Sequence, residues 1–144
     1  MLIGEYLHTI DQKNRLSVPS KFRKELGKRV VVARGLDTCL FLYPLEEWKI
    51  LADRLAKLPW GKADTRSFVR TMIAGATDIE LDALGRILLP DYLKVYGALK
   101  ETAMVVGLYN RVEIWNPELW HKYSARSQES TEMVAEKLGE LGMY

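Results

Sequence analysis

Aspartate and arginine stand four residues apart at Asp11 and Arg15, and again at Asp82 and Arg86. A carboxylate and a guanidinium at that spacing can brace a tight turn, the acid pairing with the base across it. They can also aim the arginine outward, where its planar fork binds a phosphate or a guanine edge through two hydrogen bonds. The two uses are compatible, because the acid can orient the base. An acid beside an oxyanion clamp would be the catalytic version, but no nucleophile is paired with either motif. The chain also lacks a phosphate-binding glycine loop, a His-Glu-x-x-His pair, a cysteine pair for zinc and a Gly-x-Ser-x-Gly elbow. Its two histidines, His8 and His121, stand in unrelated contexts, and His8 reads as a strand surface residue rather than a ligand. The expected chemistry is therefore binding, with no catalytic residue, metal or cofactor.

The motif's context repeats as well. Asp11-Gln12-Lys13-Asn14-Arg15-Leu16-Ser17-Val18-Pro19-Ser20 and Asp82-Ala83-Leu84-Gly85-Arg86-Ile87-Leu88-Leu89-Pro90-Asp91 match at Asp, Arg and Pro with a constant offset of 71, and an internal repeat takes precedence over other fold arguments. Asn14 and Gly85 share one matched place. These are residues that accept a positive φ, so a tight turn is expected at both. Asp11, Asp82 and Gly85 are the structural members of the motif.

These turns need strands on either side. Residues 5–10 alternate, 15–18 follow the first turn, and Pro19 opens a short helix through Leu26 with Phe22 and Leu26 on one face. Gly27 stops it. Strands are expected at 29–33 and 39–43. Pro44 then opens a helix bearing Leu45, Trp48, Leu55 and Leu58, broken by Pro59-Trp60-Gly61. Asp64 reads as the cap of a further helix carrying Phe68, Met72 and Ile73, ended by Gly75. The second half repeats this order: strands at 79–81 and 86–89, a helix from Pro90, strands at 103–107 and 111–115 with Asn110 between them. Asn116 then caps a helix with Pro117 in its first position. The tail from Ser127 reads as helical or frayed. A half of about 45 residues is near the lower limit for burying a core alone. The halves should share one, as a fused pseudo-dimer: repeat 1 over 5–47, a helical linker over 48–76, repeat 2 over 77–120, and a tail over 121–144.

The 144 residues carry a net charge of +2, unevenly spread. Residues 1–34 hold Lys13, Arg15, Lys21, Arg23, Lys24, Lys28, Arg29 and Arg34 against Glu5, Asp11 and Glu25, whereas residues 101–144 are net acidic. A basic first third suggests a polyanionic partner. It also suggests that the first motif meets that partner more strongly than the second. No apolar run approaches the roughly 18 residues of a membrane span, and no signal peptide is evident. Cys39 stands alone in an apolar run and reads as a buried, inert thiol. A cytoplasmic protein is expected. Of four tryptophans, only Trp60 should be substantially exposed.

Two tandem Asp-x-x-x-Arg hairpins, each leading through a strand and a proline into a short helix, resemble the MraZ family of the SpoVT–AbrB swapped-hairpin superfamily. Leu40-Phe41-Leu42-Tyr43-Pro44-Leu45-Glu46-Glu47-Trp48 and Val112-Glu113-Ile114-Trp115-Asn116-Pro117-Glu118-Leu119-Trp120 extend the likeness over nearly the whole chain. Family members usually carry Gly where Asn14 stands, a departure the turn tolerates. The resemblance implies an α+β fold, a tandem pair of swapped-hairpin AbrB-like β-barrel repeats forming a pseudo-dimer with short flanking helices. It implies a bacterial, nucleoid-associated, DNA-binding transcriptional regulator of the division and cell-wall gene cluster. Such a protein would bind promoter direct repeats in double-stranded DNA as a ring-shaped homo-oligomer, with no membrane partner. The candidate DNA-contacting residues are Lys13, Asn14, Arg15, Lys21, Arg23, Lys24 and Arg86. The competing class is an antitoxin-like assembly or protein-interaction module that uses the same hairpins without DNA.

Overall fold

A computed structural model describes residues 1–144. The first half runs β1 (Leu2–Thr9), β2 (Arg15–Ser17), α1 (Ser20–Leu26), β3 (Arg29–Arg34), β4 (Cys39–Pro44) and α2 (Leu45–Ala56). A connecting helix α3 (Ala63–Val69) passes into a π-helical turn at Arg70–Ala74. The second half runs β5 (Thr77–Glu80), β6 (Arg86–Leu88), α4 (Asp91–Tyr96), β7 (Thr102–Tyr109), β8 (Val112–Trp115) and α5 (Pro117–Glu140). The fold is mixed α+β, with antiparallel sheets and five α-helices.

Local chemistry explains most boundaries. Pro19, Pro44 and Pro90 stand extended immediately before α1, α2 and α4, where a fixed φ and a missing N–H cost nothing. Asn116 caps α5: its side-chain oxygen accepts from the backbone N–H groups of Glu118 and Leu119 at 2.9 and 3.1 Å. Three boundaries differ from the sequence reading. β1 begins at Leu2, because Leu2 faces the core and Ile3 to Thr9 all pair with β7. Asp64 is not a cap: α3 starts at Ala63, after Lys62, with no side-chain cap, so Asp64 sits in its first turn. The tail, expected as helical or frayed, is helical and is no separate segment, since α5 runs unbroken for 24 residues.

Every pairing in the fold is antiparallel, and the halves interlock through them. β2 pairs with β6 in a separate ribbon, Arg15 opposite Leu88 and Ser17 opposite Arg86. The larger sheet has the order β1-β7-β8-β4-β3-β5. Exchanging each strand for its counterpart in the other half (β1 for β5, β3 for β7, β4 for β8) reverses that order and leaves it unchanged. The sheet therefore has a pseudo-twofold between β4 and β8, and the first strand of each half lies against the third strand of the other. It is open, with β1 and β5 at its edges.

Strand alternation divides the core. Val30, Val32, Leu40, Leu42, Ala103, Val105, Val112 and Ile114 face one way, against Leu16 and Ile87 of the ribbon and Phe22, Leu26 and Leu93 of the short helices. Phe41, Tyr43, Met104, Val106 and Trp115 face the other way, against α2, the π turn and α5 through Trp48, Leu55, Met72, Leu119, Trp120 and Tyr123. Glu113 is the one buried charged residue. Arg111 donates to it from Nε and Nη2, and Trp115 Nε1 donates at 3.0 Å. Cys39 is fully buried, and burial pushes its thiol far above the ordinary range. Trp60 is the exposed tryptophan, as expected. No helix is long and apolar enough to cross a membrane.

Candidate nucleic-acid interface

Both motif turns have the same geometry, atom for atom. In the first, Asp11 Oδ1 accepts from the backbone N–H of Lys13 and of Arg15, each at 2.9 Å, and Oδ2 accepts from Arg15 Nε at 2.7 Å. In the second, Asp82 Oδ1 accepts from Leu84 and Arg86 N–H at 2.9 Å, and Oδ2 from Arg86 Nε at 2.7 Å. The carbonyl of each Asp accepts from the N–H three residues on, Asn14 or Gly85. Those two residues take φ of 61° and 75°, the positive values that their types implied. Hydrogen bonding by the backbone N–H of Arg15 holds the Asp11 carboxyl below the usual carboxylate range, with the Arg15 guanidinium adding to it. Arg86 does the same for Asp82. Each acid stays ionised and fixes the Nε edge of its arginine, and both guanidinium-bearing side chains remain part-exposed.

The ribbon places the two turns side by side. Val18 N–H donates to the Gly85 carbonyl at 3.0 Å, and Leu89 N–H to the Asn14 carbonyl at 2.8 Å. Arg86 Nη1 also lies 3.9 Å from Asp11 Oδ2. Arg15 and Arg86 thus belong to one surface rather than two. Their tips differ: Lys13 stands exposed on the first turn, and the matched residue of the second, Leu84, is an exposed leucine.

The flanking helices cross over. The Arg23 side chain of α1 lies against Gly85, the turn residue of the second motif, and its Nε donates to the Val18 carbonyl at 2.9 Å. The matched Lys94 of α4 donates to Asn14 Oδ1 at 2.8 Å, and Asn14 Nδ2 donates to Asp91 at 2.7 Å. The basic helix α1 therefore flanks the second turn, and α4, with Asp91, flanks the first. The basic helix that the chain order places beside the first motif thus stands beside the second. Adjacency along the chain does not carry through, because the ribbon exchanges turns between halves. Of the candidate residues, Lys13, Lys21 and Lys24 are exposed, with Lys21 Nζ 6.0 Å from the Tyr6 ring centroid. Arg23 and Asn14 are held in internal hydrogen bonds. Sequence reasoning missed Lys94 and Asp91 as supports of the first turn. The offset of 71 relates Lys94 to Arg23 and was the signal available.

A family model described as "MraZ protein, putative antitoxin-like" matches residues 1–71 and again residues 72–140. The chain is 50% identical over 143 residues to a protein of Desulfitobacterium hafniense (strain DSM 10664 / DCB-2) named "Transcriptional regulator MraZ". It is 48% identical over 143 residues to one of the same name from Alkaliphilus metalliredigens (strain QYMF). In both cases the alignment covers 99% of this chain and 100% of the relative.

Proposed function

The chain belongs to the MraZ family, and from that premise we propose that it is a sequence-specific DNA-binding transcriptional regulator. The observation that carries this reading is the juxtaposition of Arg15 and Arg86 on one ribbon, each oriented by its own aspartate. Two part-exposed guanidinium groups, each fixed at Nε, suit bidentate contact with guanine or phosphate. Lys13 at the first tip, with Lys21 and Lys24 on α1, adds backbone contacts that position the ribbon without reading sequence. Asn14 and Arg23, held in internal bonds, serve mainly to shape the turns. The exchange of first strands between halves supports reading them as swapped hairpins in a fused pseudo-dimer.

The target is the promoter of the division and cell-wall gene cluster, carrying short direct repeats, and the active form is a ring-shaped homo-oligomer in the bacterial cytoplasm. One ribbon offers too few base contacts to find a site alone. Each bidentate contact gives roughly 1–3 kcal/mol of discrimination, little against a genome of competing sequence. Several copies on one assembly turn later contacts into intramolecular ones.

The experiment is a gel-shift and salt titration on the gene's own upstream region. Arg15→Ala and Arg86→Ala should each weaken binding about 10- to 100-fold, within a few-fold of one another, while both variants stay folded. Lys13→Ala should reduce the salt slope by about one unit. Unchanged affinity in both arginine variants would favour an assembly or antitoxin-like module instead.

A further inference from the structure

The pseudo-twofold between the halves fails in one place. On the face that carries α2 and α5, the π turn after α3 packs on β3, where Met72 and Val69 close the core. The matching place at the other end of the sheet, over β7 and β1, has no such cover: the offset of 71 matches residues 63–69 to 134–140, and those residues continue α5 instead of turning back over β7. Ile3 and Leu7 of β1 stand 56% and 60% exposed there, with Leu108 of β7 directly opposite Ile3. The two edges also differ in chemistry. The offset of 71 matches Leu7 to Asp78 of β5, which is ion-paired with Arg29 at 2.6 Å. Charge blunts an edge strand against association, so β5 is protected and β1, eight residues long, is not. Between Ile3 and Leu7, Glu5 is tied down by Trp120 Nε1 at 3.2 Å.

The opposite end of the sheet carries a complementary surface. The segment 63–74 is apolar on two sides: Val69 and Met72 face inward, while Phe68 and Ile73 stand 41% and 39% exposed. The outward side thus carries two large apolar side chains set among Arg66 and Arg70. The i→i+5 bonding of a π turn brings residues five apart, such as Phe68 and Ile73, closer to one face than a regular α-helix would. Lys57 and Lys62 precede this segment and Arg66 and Arg70 lie within it, with Asp64 the one acid among residues 57–74, whereas the acid beside Ile3 and Leu7 is the exposed Glu5.

We infer that the uncovered β1–β7 face receives the α3 and π-turn segment of a second copy of this chain, seating Phe68 and Ile73 against Ile3, Leu7 and Leu108. This deepens the homo-oligomer reading and rests on it. The two surfaces lie at opposite ends of one sheet, so the contact is heterologous. Each added copy presents a fresh surface, and the chain of contacts closes where the rotation permits.

The test is solution mass by light scattering at micromolar concentration, with far-UV circular dichroism on every sample. Wild type is expected as an oligomer. Leu7→Asp, which places at β1 the residue type that Asp78 supplies at β5, and Phe68→Glu should each give folded monomers. An equimolar mixture of the two should give a heterodimer and nothing larger. The Leu7→Asp chain keeps Phe68 and the Phe68→Glu chain keeps Leu7, so one joint is intact and both outer ends are blocked. If Leu7→Asp fails to fold, Leu7→Thr with Ile3→Thr takes its place, since threonine suits a strand. Oligomeric wild type with both variants still oligomeric would overturn this contact and leave the assembly reading standing. Loss of assembly in Leu7→Asp alone would replace it with a β1-to-β1 contact. Variants that stay monomeric when mixed would also overturn it. A monomeric wild type would overturn the assembly reading itself.

Discussion

Asp11 and Asp82 each satisfy two backbone donors and one guanidinium from a single carboxylate. Their folded-state pKa values lie below the ordinary aspartate value. A depressed folded pKa gives stability that is present in full above the unfolded aspartate range, near 4, and is lost as pH falls through the lower folded value. Acid titrations of wild type and of the Asp82→Asn variant should therefore converge at low pH and stand fully apart by about pH 4 and above, wild type being the more stable. Parallel curves would show that the carboxylate contributes nothing to the turn. Gly85 is a second residue-level test. Its φ is 75°, and an added Cβ would meet the Arg23 guanidinium. Gly85→Ala should cost about 1–3 kcal/mol in urea unfolding, since a left-handed backbone is strained for alanine. Asn14→Gly keeps that backbone and removes only the bonds to Asp91 and Lys94, so it should cost less.

At the scale of elements, the helix ends and the linker carry the information. Asn116 both caps α5 and donates from Nδ2 to the Ala98 carbonyl at 2.8 Å, tying α5 to the loop after α4. Asn116→Ala should lower stability by about 1–2 kcal/mol, at the upper part of the range for a lost cap, measured by thermal or denaturant unfolding. The contacts of α5 with the core come from its first third, through Leu119, Trp120 and Tyr123. Cation–π and hydrogen-bond contacts fasten the linker. Arg34 lies over the rings of Tyr92 and Tyr96, whose hydroxyls donate to the Gly75 and Gly35 carbonyls. The linker is thereby held to both halves, which places the π turn beside β3.

At the scale of the whole molecule, the exchanged strands make the two halves one folding unit. The 18-residue core beneath the ribbon draws side chains from both halves. Neither 1–71 nor 72–144 alone can close it, since each would leave its first strand without its sheet partner and its third strand paired on one side only. Each half expressed alone should show little fixed structure by circular dichroism and amide exchange, and the full chain should unfold in one transition. A half that folds cooperatively alone would refute the interlock.

The sequence by itself determined what is local. Matched Asp, Arg and Pro positions gave the repeat, Asn14 and Gly85 the positive-φ turns, Pro19, Pro44 and Pro90 the helix starts, and Asn116 the last cap. Each follows from the φ/ψ limits and hydrogen-bonding reach of a few neighbouring residues, so a short window contains its cause. Tertiary structure alone decided which pieces meet. Arg23 supports the turn of Gly85, 62 positions away, and Lys94 supports Asn14, because burying two half-cores together requires β2 to pair with β6. That pairing moved the basic helix to the second motif and brought Arg86 near Asp11, which no local charge count could show. The π turn arose the same way, since Met72 must reach the core over β3. The burial of Glu113 is also set by the sheet it lies in, although the groups that satisfy it, Arg111 and Trp115, are local, two residues away on either side. Contacts across many tens of residues are chosen by the shape of a shared core, and that shape exists only once the chain has closed.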